Sequence, residues 1–444
     1  MQRESQIDGS NQLAGPRNDT WSLLPDTAVW RDGVLHIGGC SLDDLAAQFG
    51  TPLYVYDEAT LRNTVGDIRA AFEPIGARVS FAAKACSTIG VLRVLADERL
   101  GLDVVSLGEI KAGLRSGFAP ESIHLHGNAK SRQEIECAVK LGFHAIVLDN
   151  IEEIETLVHM SGSLGKTVRV MLRVSLDLEA KTHPHLQTGG RRSKFGFYQR
   201  DPAFKEALCH IRDANHLEFV GLHTHLGSQI SDASLYARVA EVMVSLGQRI
   251  QECGLCCREL NVGGGWAVPY RPGEARLAPK AVADALQPTA RVLVQTGGTK
   301  LAVEPGRAVT ARAGLAIYRV CSVKKSVGRI MVAVDGGMGD NPRPALYDTQ
   351  YTALRVREQA GDIALQTTVV GRFCESGDLL VRQVTMPPVM ANDLICVPVS
   401  GAYQLSMAST YNLVPPPAAI MVSDGNARLL TRRATVEDLL QREM

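Results

Sequence analysis

The run Gly-Arg-Phe-Cys-Glu-Ser-Gly-Asp, residues 371 to 378, puts Cys374 directly before Glu375. A structural thiol is expected among apolar neighbours, whereas this one is flanked by polar and turn-forming residues. With a reference pKa of ~8.5, a thiol both holds and releases a proton near neutrality. Lys84, in Phe-Ala-Ala-Lys-Ala-Cys-Ser, is a second candidate, a cation inside an apolar run. Taken alone it reads first as a strand-end lysine reaching solvent. The chemical alternative is that burial favours the neutral amine, the form that makes Schiff bases.

Two glycine turns extend this picture. Asn-Val-Gly-Gly-Gly-Trp contains Gly265, and Glu304-Pro305-Gly306-Arg307 follows one strand later. Glycine lets backbone N–H groups approach an anion closely, so the two turns suit a phosphate. A lysine and a phosphate cradle on one face together point to pyridoxal phosphate (PLP). His223 and His225, an H-x-H pair on one face of a strand, raise a rival: a metal-dependent hydrolase with neutral imidazole ligands. Such a site needs further ligands at other strand ends, and Arg307 beside Glu304 is unfavourable to a dication. The expectation is therefore no metal. The ten cysteines suggest no disulfide framework. Cys253, Cys256 and Cys257 resemble half a zinc site, but no second ligand pair follows.

Residues this far apart in sequence need a scaffold that gathers them. Eight short apolar runs alternate with amphipathic stretches, at 79–85, 102–106, 123–127, 145–150, 168–174, 219–225, 259–265 and 301–307. Segments such as 131–142 and 151–165 space their apolar residues for helices. Eight strand–helix alternations over about 230 residues match a (β/α)₈ barrel, usually ~250 residues long. Each run carries its polar residue at the C-terminal end: Lys84, Ser106, His126, Asp149, Arg173, His225, the glycines through Gly265, and Glu304. A barrel of this kind builds its site at that face. A doubly wound open sheet, which would spread them along a crevice, is the alternative architecture.

Beyond residue 310 the texture changes to strand-like runs separated by Gly, Pro and Asp, which predicts an all-β domain. Asp32-Gly33 signals a hairpin ahead of the barrel, in a segment expected to join that domain. The expected division is a flexible polar tail at 1–24, an N-terminal segment at 25–50, the barrel at 51–310 and the β domain at 311–444. Acidic and basic residues balance at 47 each, which gives no argument for nucleic acid or an anionic membrane. No apolar run approaches the roughly 20 residues needed to cross a bilayer, and the N-terminus lacks an apolar signal core. A cytoplasmic protein is expected.

Ten ordered stretches resemble the fold-type III PLP decarboxylases: FAAKA, LDVVSLGE, HGNAK, TGGRRSKFGF, HTHLGSQ, NVGGGW, EPGRAV, DGGMGDNPRPALY, CESGD and GAYQLSMASTYN. Within that family the diaminopimelate decarboxylases are the most similar, over roughly residues 25 to 440. Alanine racemases share the fold, but CESGD and NPRPALY resemble the decarboxylase branch. The resemblance implies a PLP barrel with a C-terminal β domain, and a homodimer with shared active sites. It implies decarboxylation of meso-2,6-diaminopimelate to L-lysine. The alternatives are a sibling decarboxylase acting on another diamino acid, or on a siderophore or antibiotic intermediate, and a non-catalytic PLP-binding homologue.

The resemblance also supplies roles. Lys84 corresponds to the lysine that carries the cofactor, and His225 to the imidazole stacked on its ring. Ser228, Gly265, the Pro305-Gly306-Arg307 turn and Tyr403 correspond to the phosphate cradle. Glu304 corresponds to the carboxylate that keeps the pyridine nitrogen protonated, so that the ring accepts electrons. Arg307, Arg343, Tyr347, Glu375 and Tyr403 match substrate-binding positions; arginines suit a carboxylate and Glu375 an ammonium. By the same analogy Cys374 comes from the partner subunit as the acid that protonates the carbon after CO₂ leaves. One stretch departs from the family: before Ser193, Arg191 and Arg192 stand where polar or acidic residues are usual. They read either as a solvated loop or as a preference for additional negative charge on the substrate.

Overall fold

The computed structural model describes residues 18–178, 193–296, 298–326, 328–358, 364–441 and 443. Eight parallel strands form the barrel: Arg78–Ala82, Gly101–Val104, Ile123–Leu125, Ala145–Leu148, Val168–Ser175, Leu217–His223, Glu259–Asn261 and Lys300–Val303. They neighbour one another in chain order, and the eighth closes on the first through Ala302↔Arg78 and Val303↔Val79. Every predicted run overlaps one of these strands, with bounds one or two residues off at the start of several. The sheet is closed, so the open-sheet alternative falls.

Helices cover the outside, with local sequence setting their ends. In the helix Arg132–Leu141, Ser131 and Glu134 form a reciprocal capping box, and Gly142 closes the other end at φ 73°. The barrel's ring of helices begins before its first strand, with Glu58–Phe72. Phe72 at the end of that helix stacks on Trp266, ring centroids 5.4 Å apart.

The C-terminal sheet is built on the long strand Gly314–Ser326, which pairs antiparallel with Arg329–Val334, Leu394–Val397 and Leu53–Asp57. Leu53–Asp57 also pairs in parallel with Ala418–Ser423. This strand falls within the span 51–310 assigned to the barrel by sequence, yet it lies in the other domain's sheet. All five of its residues are buried, so its run carries none of the alternation that distinguishes the two settings. The chain enters the barrel at Glu58, where Asp57 caps the first helix.

Asp32 and Gly33 do form the two-residue hairpin turn, with φ of 49° and 72° and Arg31 opposite Val34. The hairpin belongs to its own three-stranded sheet, tied to the β domain where Leu35 N–H donates to Val356 O at 3.0 Å. Leu35, Ile37, Leu42 and Leu45 share a buried core with Leu315, Ile317 and Ile420. Leu23 and Leu24, within the expected flexible tail, are buried as well: Leu24 joins this core and Leu23 the larger one that includes the barrel.

Candidate active site

The first barrel strand ends at Ala82 and tightens into a single 3₁₀ turn, Ala83–Ala85, that carries Lys84. Ala83 and Ala85 are buried while Lys84 is exposed, projecting into a cavity of about 480 Å³ at the C-terminal ends of the strands. That exposure agrees with the first reading of this lysine, a strand-end amine reaching out of the run, and the apolar character of the run is spent on its neighbours. The turn is held from the β domain, where Tyr403 N–H donates to Ala85 O at 2.8 Å and Ser406 Oγ to the same carbonyl at 3.3 Å.

Glu304, just beyond the eighth strand, is the anionic centre of the cavity. His223 Nε2 lies 2.9 Å from its Oε2 and His126 Nε2 3.2 Å from its Oε1, while Asn261 Nδ2 donates to Oε1. Burial pushes this carboxyl up, but His126 and His223 outweigh it and hold it well below the usual carboxylate range. Burial presses His126 itself down to about 3. Asp103, opposite, is raised well above its ordinary value by burial and by the Glu304 charge. One of the two carboxyls is thus ionised and the other neutral, the usual outcome for a close buried pair.

The H-x-H pair divides between two tasks. His223 faces Glu304, whereas the Nδ1 of His225 accepts from Gly264 N–H at 3.3 Å and its ring lines the cavity. Burial, then the charges of Lys84 and Arg173, keep His225 well below its ordinary pKa and so neutral. That suits a ring stacked on a flat heterocycle.

The glycine turns expected to form an anion cradle lie together at the cavity. Gly265 has φ +97°, and a Cβ there would lie 2.0 Å from Gly227 O. A Cβ on Gly306 would sit 3.1–3.3 Å from Ala85 Cβ, Ala82 Cβ and Tyr403 Oη, filling the cradle. Ser228 accepts on Oγ from Arg307 Nη2 at 3.1 Å, and Tyr403 brings its ring to 4.6 Å from the Arg307 Cζ. Ser228, Gly265, Gly306, Arg307 and Tyr403 all line the cavity, with Pro305 in the same turn. Bare backbone at one end, a lysine at the other and a buried carboxylate deep in the site fit PLP in charge and shape.

Arg343 and Tyr347 reach the same cavity from the short helix Arg343–Tyr347 of the β domain. Arg307 and Arg343 are 4% and 2% exposed, and no carboxylate pairs with either among the described residues. A buried guanidinium without an anion is costly, so the pair is poised for a carboxylate ligand. Cys374 and Glu375 are not brought in. They sit on an exposed loop, anchored where Cys374 N–H donates to Asn412 Oδ1 at 3.1 Å, and neither lines the cavity of its own chain. Arg191 and Arg192 lie outside the described residues.

Sequence reasoning placed Arg173 at the site face without a role and did not single out Asp103, Asn261 or Tyr270. Arg173 lines the cavity with its guanidinium 4.3 Å from the Phe195 ring, and Tyr270 accepts from Arg307. A polar residue inside an otherwise apolar strand was the available signal for Asp103; Asn261 shares its short strand with Glu259 and carried no such contrast.

Residues 58–311 match the family model for the pyridoxal-dependent decarboxylase, pyridoxal binding domain. A diaminopimelate decarboxylase of Actinosynnema pretiosum subsp. auranticum is 42% identical over 430 residues, covering 94% of this chain and 96% of the relative. That of Bacillus subtilis is 36% identical over 419 residues, covering 93% and 95%. The crystal structure of diaminopimelate decarboxylase from M. jannaschii in co-complex with L-lysine superposes with a TM-score of 0.89 at 29% identity, covering 94% of this chain and 98% of that one. Barrel, cofactor cradle and near full-length likeness agree: the chain belongs to the diaminopimelate decarboxylase family, whose cofactor is pyridoxal phosphate.

Proposed function

We propose that the protein decarboxylates meso-2,6-diaminopimelate to L-lysine and CO₂. The observation that carries this is the convergence of Lys84, Glu304 and two unpaired buried arginines on one cavity. Bound there, PLP supplies an electron-accepting ring for the carbon that loses CO₂. Lys84 would hold the cofactor covalently through its amine. Glu304, anionic between His126, His223 and Asn261, would keep a proton on the ring nitrogen. Ser228, Gly265, Gly306 and Tyr403 would hold the phosphate, and the neutral His225 would offer its flat ring to the heterocycle.

Arg307 and Arg343 orient the substrate by its distal carboxylate, with Tyr347 and Tyr403 as walls. Cys374 returns a proton to the carbon after CO₂ leaves, and Glu375 takes the distal ammonium. Both act in the cavity of a partner subunit, so the protein works as a homodimer with shared sites. Their exposed loop supports this reading: Phe373 stacks on Tyr411 at 6.0 Å, Cys374 is tied to Asn412, and Tyr411 and Leu413 on either side of Asn412 leave apolar surface uncovered. Functionally the chain divides near Glu58, with 58–310 as cofactor domain and the rest as the domain that completes the site.

No helix among the described residues is long and apolar enough to cross a membrane, and a cytoplasmic setting fits the chemistry of an unprotected thiol. The decisive assay is CO₂ release from a panel of diamino acids, with cofactor absorbance recorded. Release from diaminopimelate above all others is expected. Preference for another diamino acid would move the assignment to a sibling decarboxylase.

A further inference from the structure

Arg307 and Arg343 come from different domains, one from the turn after the eighth strand and one from the β domain. Both are buried, neither has a carboxylate partner among the described residues, and the Nε of each lacks a hydrogen-bond acceptor. Two like charges with free donors should drift apart or twist unless something holds them convergent. The surroundings offer rings in place of acids. The Tyr403 ring lies 4.6 Å from the Arg307 Cζ and 5.7 Å from that of Arg343.

The second shared ring is Tyr270, at 5.8 Å from the Arg307 Cζ and 5.7 Å from the Arg343 Cζ. Its hydroxyl also accepts directly from Arg307 Nη1. Tyr270 is 3% exposed and does not line the cavity, so it reaches the guanidiniums from behind. Its own position is fixed. The ring packs edge-on against Tyr351, centroids 4.7 Å apart, and its N–H donates to Glu274 Oε2 at 2.9 Å. Glu274 also takes the Arg271 side chain at 2.8 Å, which closes the loop that follows the Gly-Gly-Gly strand end.

We propose that Tyr270 is a positioning residue for the substrate carboxylate, holding Arg307 and Arg343 convergent by an accepted hydrogen bond and a shared ring face. This rests on the decarboxylase reading of the same cavity. The groups that face the Tyr270 phenol are Arg307 from the barrel turn, Arg343 and Tyr351 from the β domain, and Tyr403 beyond the two arginines. Burial alone would raise the phenol's pKa, yet the two guanidinium charges bring it below its ordinary value. When ionised, the phenolate competes with the incoming carboxylate for Arg307. Carboxylate binding should therefore weaken on the alkaline side.

The test uses holoenzyme. Tyr270→Phe keeps the ring and removes the acceptor. It should raise KM for diaminopimelate about tenfold, or about 1.4 kcal/mol, with kcat within roughly twofold and the cofactor absorbance unchanged. Pimelate carries both carboxylates of the substrate and neither amine, so its charge is constant between pH 7 and 10. Its inhibition constant should rise at least about fivefold over that range in the wild type and stay flat in Tyr270→Phe. An unchanged KM in a folded Tyr270→Phe, or a fall in kcat alone, overturns the proposal. Should that variant not fold, a flat pimelate profile in the wild type overturns it. Wild-type protein inactive on diaminopimelate but inhibited by pimelate in this pH-dependent way on its true substrate would sink the substrate assignment and leave Tyr270's role standing.

Discussion

The main-chain N–H of Tyr403 donates to the carbonyl of Ala85 at 2.8 Å, so the β domain grips the turn that presents Lys84. Tyr403 itself is held at φ 57°, a conformation that non-glycine residues seldom adopt. The same residue thus places the lysine from behind and closes the cradle over Gly306 from in front. If Lys84 carries the cofactor as proposed, its attachment and β-domain docking are coupled through this one residue.

Borohydride treatment of holoenzyme should fix the cofactor to Lys84, located by peptide mapping. Lys84→Ala should lose the linkage and reduce kcat by at least about 10³, near 4 kcal/mol. A label on any other lysine sinks the assignment.

Glu304→Gln keeps the shape and removes the anion that sustains the ring-nitrogen proton. A fall of about a hundredfold or more in kcat, near 2.7 kcal/mol, is expected, with borohydride trapping at Lys84 retained. Activity within a few-fold of wild type would show that Glu304 has no such electronic role.

If Cys374 serves the partner's cavity, Lys84→Ala and Cys374→Ala subunits should complement. A heterodimer regains one intact site of two, hence about half the wild-type activity per dimer. Verified heterodimers with no recovery would put both residues in one subunit's site.

The buried histidines should weaken the apoprotein in acid within a definite window. His126 falls to about 3, and His223, His225 and His144 are also lowered, each with burial as the largest cause. Below their ordinary pKa of ~6.5 the unfolded chain binds more protons than the folded one, so stability declines as pH falls towards 3. Glu304 adds to the loss, since its stabilisation disappears as pH falls through a depressed folded pKa. Asp340, raised to about 6, and Asp57, Asp103, Glu109, Asp149, Asp335 and Asp378, all raised chiefly by burial, work the other way and favour the fold as pH drops. The histidine share is therefore read by difference: His126→Gln should make the decline between pH 7 and 4 shallower than in the wild type. Urea midpoints with the same pH dependence in both proteins would contradict the neutral-histidine assignment.

Arg191 and Arg192 allow one further check, through sequence alone. If they lie on a solvated loop, replacing both with polar residues should alter kcat/KM for diaminopimelate by less than tenfold, about 1.4 kcal/mol. A larger gain would mean that the loop selects a more acidic substrate.

The alternation of apolar runs and helical spacing determined the barrel, because strands buried on both faces must be apolar and their connections must be amphipathic. It also determined which residues stand at the C-terminal strand ends, since the chemistry-bearing residue closes each run. What it could not determine was the barrel's interior. His124, His144 and Glu259 read as isolated polar residues, yet His144 Nε2 lies 3.1 Å and His124 Nε2 3.4 Å from the Glu259 carboxylate. Such partners come from strands more than a hundred residues apart, and only the closed sheet sets them face to face. The strand Leu53–Asp57 was misplaced for a related reason: its local pattern says buried, and only hydrogen-bond pairing says in which domain. Lys84 makes the same point at the scale of one side chain. Its apolar run left exposure and burial both open, and a single 3₁₀ turn carries the lysine beyond the strand and into the cavity. Side-chain direction beyond a strand end depends on the backbone turn, which the tertiary contacts of Ala85 decide.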